Sequence, residues 1–247
     1  MTHTFTVSPD FPPARISGWF IFNTWLQRRL EAAIHLELYD DFARQRADIA
    51  AGKIDLIYAN PYDAALLVRE KGFVPVARPR DKADEAIIAV PAASAVQHVE
   101  DLRPGARIAS TDDPDVRTMG MIMIEPADLS AANTAAVACG NYVLVAKALL
   151  TGTADAGFFL KQSFEELSEV TRRQLRQIVE SHIYVVHHAL MAGPRLAPRR
   201  DEIRDALLGM DQDAKGRDIL ANLGLAGWDE LDEEATEFMI DLMDTLT

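Results

Sequence analysis

The sequence has little cysteine, little positive charge and no long apolar run. Its 247 residues include one cysteine, Cys139, which excludes an internal disulfide and any metal site built from several thiolates. The formal net charge of −13 argues against an extended nucleic-acid interface, because phosphate binding needs clustered Lys and Arg. We therefore predict no nucleic-acid partner.

Membrane-spanning and secretory signals are also missing from the sequence. No run approaches the about 18 apolar residues that a membrane span needs. The first twenty residues lack the basic start and apolar segment of a signal peptide. We predict no membrane span, and two interpretations of location stay open. Either Met1 is the native start of a cytoplasmic protein, or a signal peptide was removed and a methionine supplied.

Motifs that would indicate catalysis are not found. The sequence contains no Walker-type phosphate loop, GxGxxG, HExxH or GxSxG. His187 and His188 would point to opposite faces of a strand, so we favour a hinge strand with one exposed histidine over a metal site. Cys139 is interpreted as a buried, inert thiol. The prediction is a protein without cofactor, metal or enzymatic activity.

Regular alternation of strand-like and helix-like segments is the main feature that is present. With 49% hydrophobic and 26% charged residues, the chain is typical of a globular protein. Short apolar runs alternate with helical patterns that stop at Gly52 and Gly72. This order predicts an α/β protein with mostly parallel sheets and helices on both faces. The predicted strands of the first part are HTFTV, IHLEL, IDLIYA and FVPVARP.

The second part of the chain predicts a separate sheet. We expect strands in EAIIAVPA, RIAS and TADAGFF, a helix in NYVLVAKALLTG and a polar helix in SFEELSEVTRRQLRQIVE. Long strands near 86–91 and 183–188 would flank this segment and cross between two lobes. The predicted boundaries are 1–88 with 186–247 for a discontinuous first lobe and 89–185 for the second.

The stretch GKIDLIYANPYDAALLVREKG, with Phe42 before it, resembles the phosphate/phosphite/phosphonate class of ABC-transporter substrate-binding proteins through Gly52, Asp55 and Asn60-Pro61-Tyr62. The same order continues in VEDLRPGARIAS, DPDVRTMG and CGNYVLVAKALLTGTADAGF. The resemblance implies the two-lobe type 2 periplasmic-binding-protein fold, with two hinge strands. It also implies a periplasmic location.

The function that this resemblance implies is capture of a small polar ligand for an ABC transporter. The ligand would be a phosphonate-, phosphite- or phosphate-like oxyanion, or a zwitterion, held in a cleft that closes about residues near 86–91 and 183–190. A transporter permease is the implied partner. Two alternatives stay open: a cytoplasmic enzyme on the same fold, of the menaquinone or cofactor biosynthesis type, and a ligand sensor derived from the binding protein.

The loop STDDPDVRTMG corresponds to the family's ligand loop and departs from it. Thr118 with the amides of Met119 and Gly120 would hold an anion, or else Asp113 or Asp115 caps the next helix. Aspartates beside an oxyanion repel it. If they face the ligand, the ligand is expected to carry an amine or to be a cation.

Other candidates follow strand ends and helix starts, where open sheets contact ligands. Tyr62 offers a hydroxyl and a ring face, or packs at the rim as a structural aromatic. Asn141 donates to a ligand or caps a helix. Asp155 matches the family's strand-end aspartate, and the resemblance implies that it receives a ligand amine; otherwise it caps a helix or forms a turn. The complete predicted set is Ser8, Asn60, Tyr62, Asp113, Arg117, Thr118, Met119, Gly120, Asn141, Tyr142 and Asp155.

Overall fold

A computed structural model describes residues 2–246 and divides the chain into two compact units. Unit 1 comprises the residues up to Ala83 together with His187–Asp244. Unit 2 comprises Asp84–Val186 together with the residues from Thr245 onward. Each unit has its own sheet and its own apolar core. No helix among the described residues combines the length and apolar character that crossing a membrane requires.

The strands are short, as is common in α/β proteins. They are β1 His3–Val7, β2 Ile34–Leu38, β3 Leu56–Ala59, β4 Val74–Pro79, β5 Ala86–Pro91, β6 Arg107–Ser110, β7 Ala135–Ala138, β8 Ala156–Leu160, β9 Leu175–Glu180, β10 Ala189–Ala192 and β11 Trp228–Glu230.

The α-helices alternate with these strands along most of the chain. They are α1 Ile16–Arg29, α2 Phe42–Ala50, α3 Pro114–Met123, α4 Tyr142–Leu150, α5 Lys161–Glu165, α6 Glu169–Arg172, α7 Arg200–Leu208, α8 Ala214–Leu223 and α9 Glu233–Leu246. A π-helix spans Leu66–Glu70, and short 3-10 helices span Pro13–Arg15, Pro61–Asp63, Val99–Asp101, Glu125–Ala127, Ala197–Arg199 and Met210–Gln212.

Both sheets are mixed, which corrects the prediction of mostly parallel sheets. In unit 1 the order is β11-β4-β10-β3-β1-β2, and in unit 2 it is β7-β6-β8-β5-β9. β1 is parallel to β2 and β3, and β6 is parallel to β7 and β8. β10 and β5 run antiparallel to their neighbours β3 and β8. The chain passes from one unit to the other just before β5 and again just before β10. Each of these strands enters its sheet at the end where its neighbour, β8 or β3, leaves it, and therefore runs antiparallel to that neighbour.

Unit 1 is covered on both faces of its sheet. Leu56 and Tyr58 of β3 belong to a core with the aromatic side chains of Phe5, Trp19 and Phe22. Their neighbours on β3, Ile57 and Ala59, belong to a second core with α-helical and π-helical residues. Successive side chains of a strand point to opposite faces, so these two cores lie on the two sides of the sheet.

Helix boundaries agree well with the sequence patterns. Asp41 caps α2 by accepting the N–H of Arg44, and Gly52, Gly72 and Gly152 have φ between 68° and 70°. A left-handed residue after a helix favours glycine because glycine has no Cβ to clash. The predicted stops at Gly52 and Gly72 are confirmed.

Two predictions in the second half of the chain are wrong. Residues 161–180 form the short helices α5 and α6 and then β9, because Leu175–Glu180 pairs with β5 along its length. Residues 183–188 form no strand. There the Glu85 carboxylate accepts the N–H groups of Ile183 and Tyr184, at 3.1 and 2.7 Å, in place of a neighbouring strand. The strand predicted near 86–91 is present as β5.

Candidate functional site

In unit 1, polar side chains meet at the carboxyl edge of the sheet, where the parallel strands β1 and β3 end. The Ser8 hydroxyl accepts the N–H of Asn60 at 2.8 Å. The Asn60 side chain accepts the N–H of Tyr62 at 3.0 Å and donates to Asp10 at 2.8 Å. The structure therefore brings together Ser8 and Asn60, two residues of the predicted set, and places Asp10 beside them.

A buried contact between a carboxylate and a histidine completes this cluster. Asp10 Oδ2 lies 2.9 Å from His188 Nε2, and the two side chains are 2% and 9% exposed. The His188 ring stacks on Tyr58 with centroids 5.0 Å apart. Burial alone would raise the pKa of Asp10, but the charge and hydrogen bond of His188, with the Asn60 amide, hold that pKa below its ordinary value.

Sequence reasoning missed Asp10 and misjudged the histidines. His187 and His188 are both buried, so the expectation of one exposed histidine is wrong. His187 Nδ1 lies 3.0 Å from the carbonyl oxygen of His188. Asp10 lies three residues after Val7, the last residue of β1. This position shortly after a strand end is the signal that could have identified it.

Tyr62 lies at the same edge and is 42% exposed. The guanidinium of Arg46 is 5.1 Å from the ring centroids of both Tyr62 and Phe42. Arg46 also pairs with Asp63 at 2.6 Å. Despite this pairing, burial raises the pKa of Asp63 above its ordinary value. Arg46 therefore supports the Tyr62 ring while its own charge is matched by Asp63.

In unit 2, a carboxylate occupies the position at which an anion would bind to a helix. Asp113 caps α3, and its Oδ1 accepts the N–H groups of Asp115 and Val116 at 3.2 and 3.4 Å. Its Oδ2 accepts the Tyr142 hydroxyl at 2.6 Å. Asp113 and Tyr142, predicted from separate segments, are thus in direct contact. Both are buried, and Tyr142 stacks on Phe159.

The anion-binding site predicted at Thr118, Met119 and Gly120 does not lie at a helix N-terminus. These residues lie inside α3, where backbone amides donate to the preceding turn. A Cβ on Gly120 would lie 2.4 Å from the Phe158 ring. Gly120 therefore allows α3 to approach β8, and Arg117 is exposed on the same helix. Of the two alternatives for this loop, the structure contains the capping aspartate.

Asn141 and Asp155 have structural partners in unit 2. Asn141 is exposed and caps α4 by accepting the N–H of Leu144 at 2.9 Å. Asp155 accepts the backbone N–H of Arg107 at 2.8 Å and its guanidinium at 2.6 Å, and this hydrogen bonding lowers the pKa of Asp155. Asp155 precedes β8 and so lies at the amino edge of the sheet, away from Asp113.

An open groove of about 660 Å³ lies at this amino edge. Arg103, Arg107 and Asp155 are among its lining residues, and each is engaged by neighbouring protein groups. The groove contains none of the carboxyl-edge residues described above.

The two carboxyl edges are suited to hydrogen bonding and charge recognition. They present hydroxyls, amides, carboxylates and aromatic faces. Within residues 2–246, no group of three or more His, Cys, Asp or Glu side chains is placed to hold a metal ion.

Comparison with known proteins identifies a family. The model of the family described as "ABC transporter, phosphonate, periplasmic substrate-binding protein" matches residues 5–236. A search of the curated proteins finds no match.

Solved structures share the fold at low sequence identity. PhnD1 from Prochlorococcus marinus (MIT 9301), in complex with methylphosphonate, has a TM-score of 0.85 and 13% identity, covering 99% of this chain and 98% of that one. A binding protein component of an ABC phosphonate transporter from Pseudomonas aeruginosa has a TM-score of 0.80 and 15% identity, with coverage of 99% and 85%. A Xanthomonas citri protein bound to ATP has a TM-score of 0.80 and 14% identity, with coverage of 99% and 96%.

Proposed function

Since the chain belongs to the family of periplasmic substrate-binding proteins of phosphonate ABC transporters, we propose that it binds a small phosphonate-like ligand that also carries a positive charge. The family match over residues 5–236 supports the binding function. This family consists of substrate-binding proteins, which confirms the expectation of a non-enzyme and removes the enzyme alternative.

The positive charge of the ligand is proposed from the surroundings of Asp113. Its carboxylate already accepts two N–H groups at the start of α3, which a phosphonate oxygen would otherwise accept. Asp112 is exposed beside it and Asp115 lies in the same helical turn. Because like charges at short distance repel strongly in a partly dry environment, an ammonium group on the ligand offsets this repulsion.

The partner and location are part of the same proposal. A substrate-binding protein of this family delivers its ligand to a transporter permease, and we propose such a permease as the macromolecular partner. A periplasmic location follows from that role and is supported by the description of the family.

A panel of four ligands tests the proposal by thermal shift and calorimetry. The panel contains phosphate, phosphite, methylphosphonate and 2-aminoethylphosphonate. We expect the aminoalkyl compound to raise the melting temperature most, since a ligand at a hundred times its Kd stabilises a fold by about 2.7 kcal/mol. An unchanged melting temperature with all four contradicts the phosphonate assignment. Equal affinity for methylphosphonate and 2-aminoethylphosphonate contradicts the positive charge.

Tyr62→Ala tests the carboxyl edge of unit 1. We propose that the exposed ring contacts the ligand, so the variant is expected to weaken binding about tenfold, a loss of about 1.4 kcal/mol, without unfolding the protein. Calorimetry measures the affinity. Phe238→Ala, which removes another exposed aromatic side chain in unit 1, is the matched control. An affinity unchanged from the wild type removes Tyr62 from the site.

A further inference from the structure

The two sheets have four edge strands among the described residues. One of these strands lacks the charged side chains that normally prevent an edge strand from pairing with another chain. The edge strands are β2 and β11 in unit 1 and β7 and β9 in unit 2. β2 carries His35 and Glu37, β11 carries Asp229 and Glu230, and β9 carries Arg176 and Glu180. β7 reads Ala-Ala-Val-Ala and carries no charge.

The open edge of β7 has backbone groups directed away from its own sheet. The N–H groups of Ala135 and Cys139 donate to β6 or to the residue before it, at 2.9 Å each. Since backbone groups alternate in direction along a strand, the N–H and C=O of Ala136 and Ala138 point to the open side. Both alanines are exposed.

The chain segment that contains β7 carries no charged side chain. Residues 129–146 contain no Asp, Glu, Lys, Arg or His, in a chain in which 26% of the residues are charged. Ten residues of this stretch are exposed: Ser130, Ala131, Ala132, Ala135, Ala136, Ala138, Gly140, Asn141, Val143 and Leu144. Val143 and Leu144, at 64% and 42% exposure, add apolar area at the start of α4.

The end of β7 and the start of α4 lie side by side. A Cβ on Gly140 would lie 3.9 Å from Leu144 Cδ1, so the apolar end of α4 adjoins the end of β7. We call residues 130–144 the neutral edge. On a protein of net charge −13, it is a region at which two copies can approach with little electrostatic repulsion.

We propose that the neutral edge is a homodimer interface, in which β7 pairs antiparallel with β7 of a second copy about a two-fold axis. Such pairing joins two sheets into one continuous sheet. It gives each outward N–H of Ala136 and Ala138 a carbonyl acceptor on the same segment of the partner, as an isologous interface requires. The surface has about half of the 20–30 residues per side of a standard interface, so the dimer is weak, with a Kd in roughly the micromolar range.

Sedimentation equilibrium over a range of concentrations measures the dimer. Ala136→Pro removes an outward N–H without removing a bond to β6, and it acts in both copies. We expect this variant to weaken dimerisation roughly tenfold or more, because two hydrogen bonds are lost. Ala136→Val is the matched control, since it keeps the N–H and favours a strand. It is expected to dimerise like the wild type.

Amide hydrogen exchange distinguishes this interface from any other. In the wild type, exchange at Ala136 and Ala138 is expected to slow as the concentration rises. A wild type that remains monomeric overturns the proposal. So does a dimer in which these two amides stay unprotected, or one that is unaffected by Ala136→Pro when that variant keeps the wild-type melting temperature. The proposal does not depend on the identity of the ligand.

Discussion

At the scale of single residues, we propose that Asp113 has the largest influence on ligand choice. Its carboxylate caps α3, accepts the Tyr142 hydroxyl and is 3% exposed. A serine or threonine can also cap a helix, but without a charge. We therefore propose that Asp113, besides capping the helix, selects against ligands that carry only negative charge.

Asp113→Asn separates these two contributions. Asparagine is as good a cap as aspartate, so helix α3 is expected to be preserved. Removing the negative charge is expected to raise the affinity for methylphosphonate relative to 2-aminoethylphosphonate about tenfold, or about 1.4 kcal/mol. Calorimetry with both ligands measures the ratio. Asp112→Asn, at the exposed neighbour, is the control, and an unchanged ratio for Asp113→Asn contradicts the assignment.

The pair of Asp10 and His188 predicts a pH dependence of stability. The folded protein holds the pKa of Asp10 below its ordinary value, which is about 3.9 in an unfolded chain. Its contribution is therefore complete above that value and is lost as the pH falls through the lower, folded pKa. Asp10→Asn is expected to lower the free energy of unfolding at neutral pH by about 3 kcal/mol, because His188 loses a buried partner.

The difference between wild type and Asp10→Asn, measured by urea unfolding, is expected to shrink in acid. Other carboxylates with lowered pKa values, such as Asp48 and Asp101, titrate in both proteins, and their effects cancel in the difference. A difference that is constant from neutral pH down to the acid limit of folding contradicts the pairing.

At the scale of elements, the same helix-to-strand connection occurs once in each unit. A helix ends at a glycine with positive φ, and an aspartate three residues later accepts a backbone N–H of the neighbouring parallel strand. In unit 1 these residues are Gly52 and Asp55, with the N–H of Thr4 at 2.8 Å. In unit 2 they are Gly152 and Asp155, with the N–H of Arg107 at 2.8 Å. From this repeat we infer that Asp155 has a structural role.

Asp155→Ala is therefore expected to affect stability and not binding. The pair with Arg107 is partly exposed, and the loss is expected to be about 1 kcal/mol in the free energy of unfolding. Ligand affinity by calorimetry should equal that of the wild type. Asp55→Ala tests the equivalent helix-to-strand connection in unit 1, where Arg195 pairs with Asp55. A loss of affinity in Asp155→Ala alone would restore a ligand role to Asp155.

At the scale of the whole molecule, the cores are segregated by unit. The core of unit 2 is built from residues between Ile87 and Leu175, and the cores of unit 1 contain none of them. We expect a fragment of residues 84–186 to fold alone, since it contains one continuous chain and a complete core. A cooperative thermal transition by circular dichroism, with dispersed amide resonances, checks this. A fragment that stays unfolded contradicts the independence of unit 2.

The sequence by itself determined the α/β class, the family and most element boundaries. These depend on local patterns: apolar periodicity, capping by Asp41 and Asn141, and glycine stops such as Gly52. The order of these segments was enough to identify the family, because each family motif occupies a local stretch of chain.

Only the tertiary structure decided which residues meet. The antiparallel direction of β5 and β10 depends on where the chain enters each sheet, and the contact of Asp113 with Tyr142 joins segments 29 residues apart. Asp10 and His188 are separated by 178 positions. Asp155 and Asp113 resemble each other as aspartates near strands, yet they lie at opposite sheet edges. Strand pairing fixes such positions through long-range contacts, which a local sequence pattern does not contain.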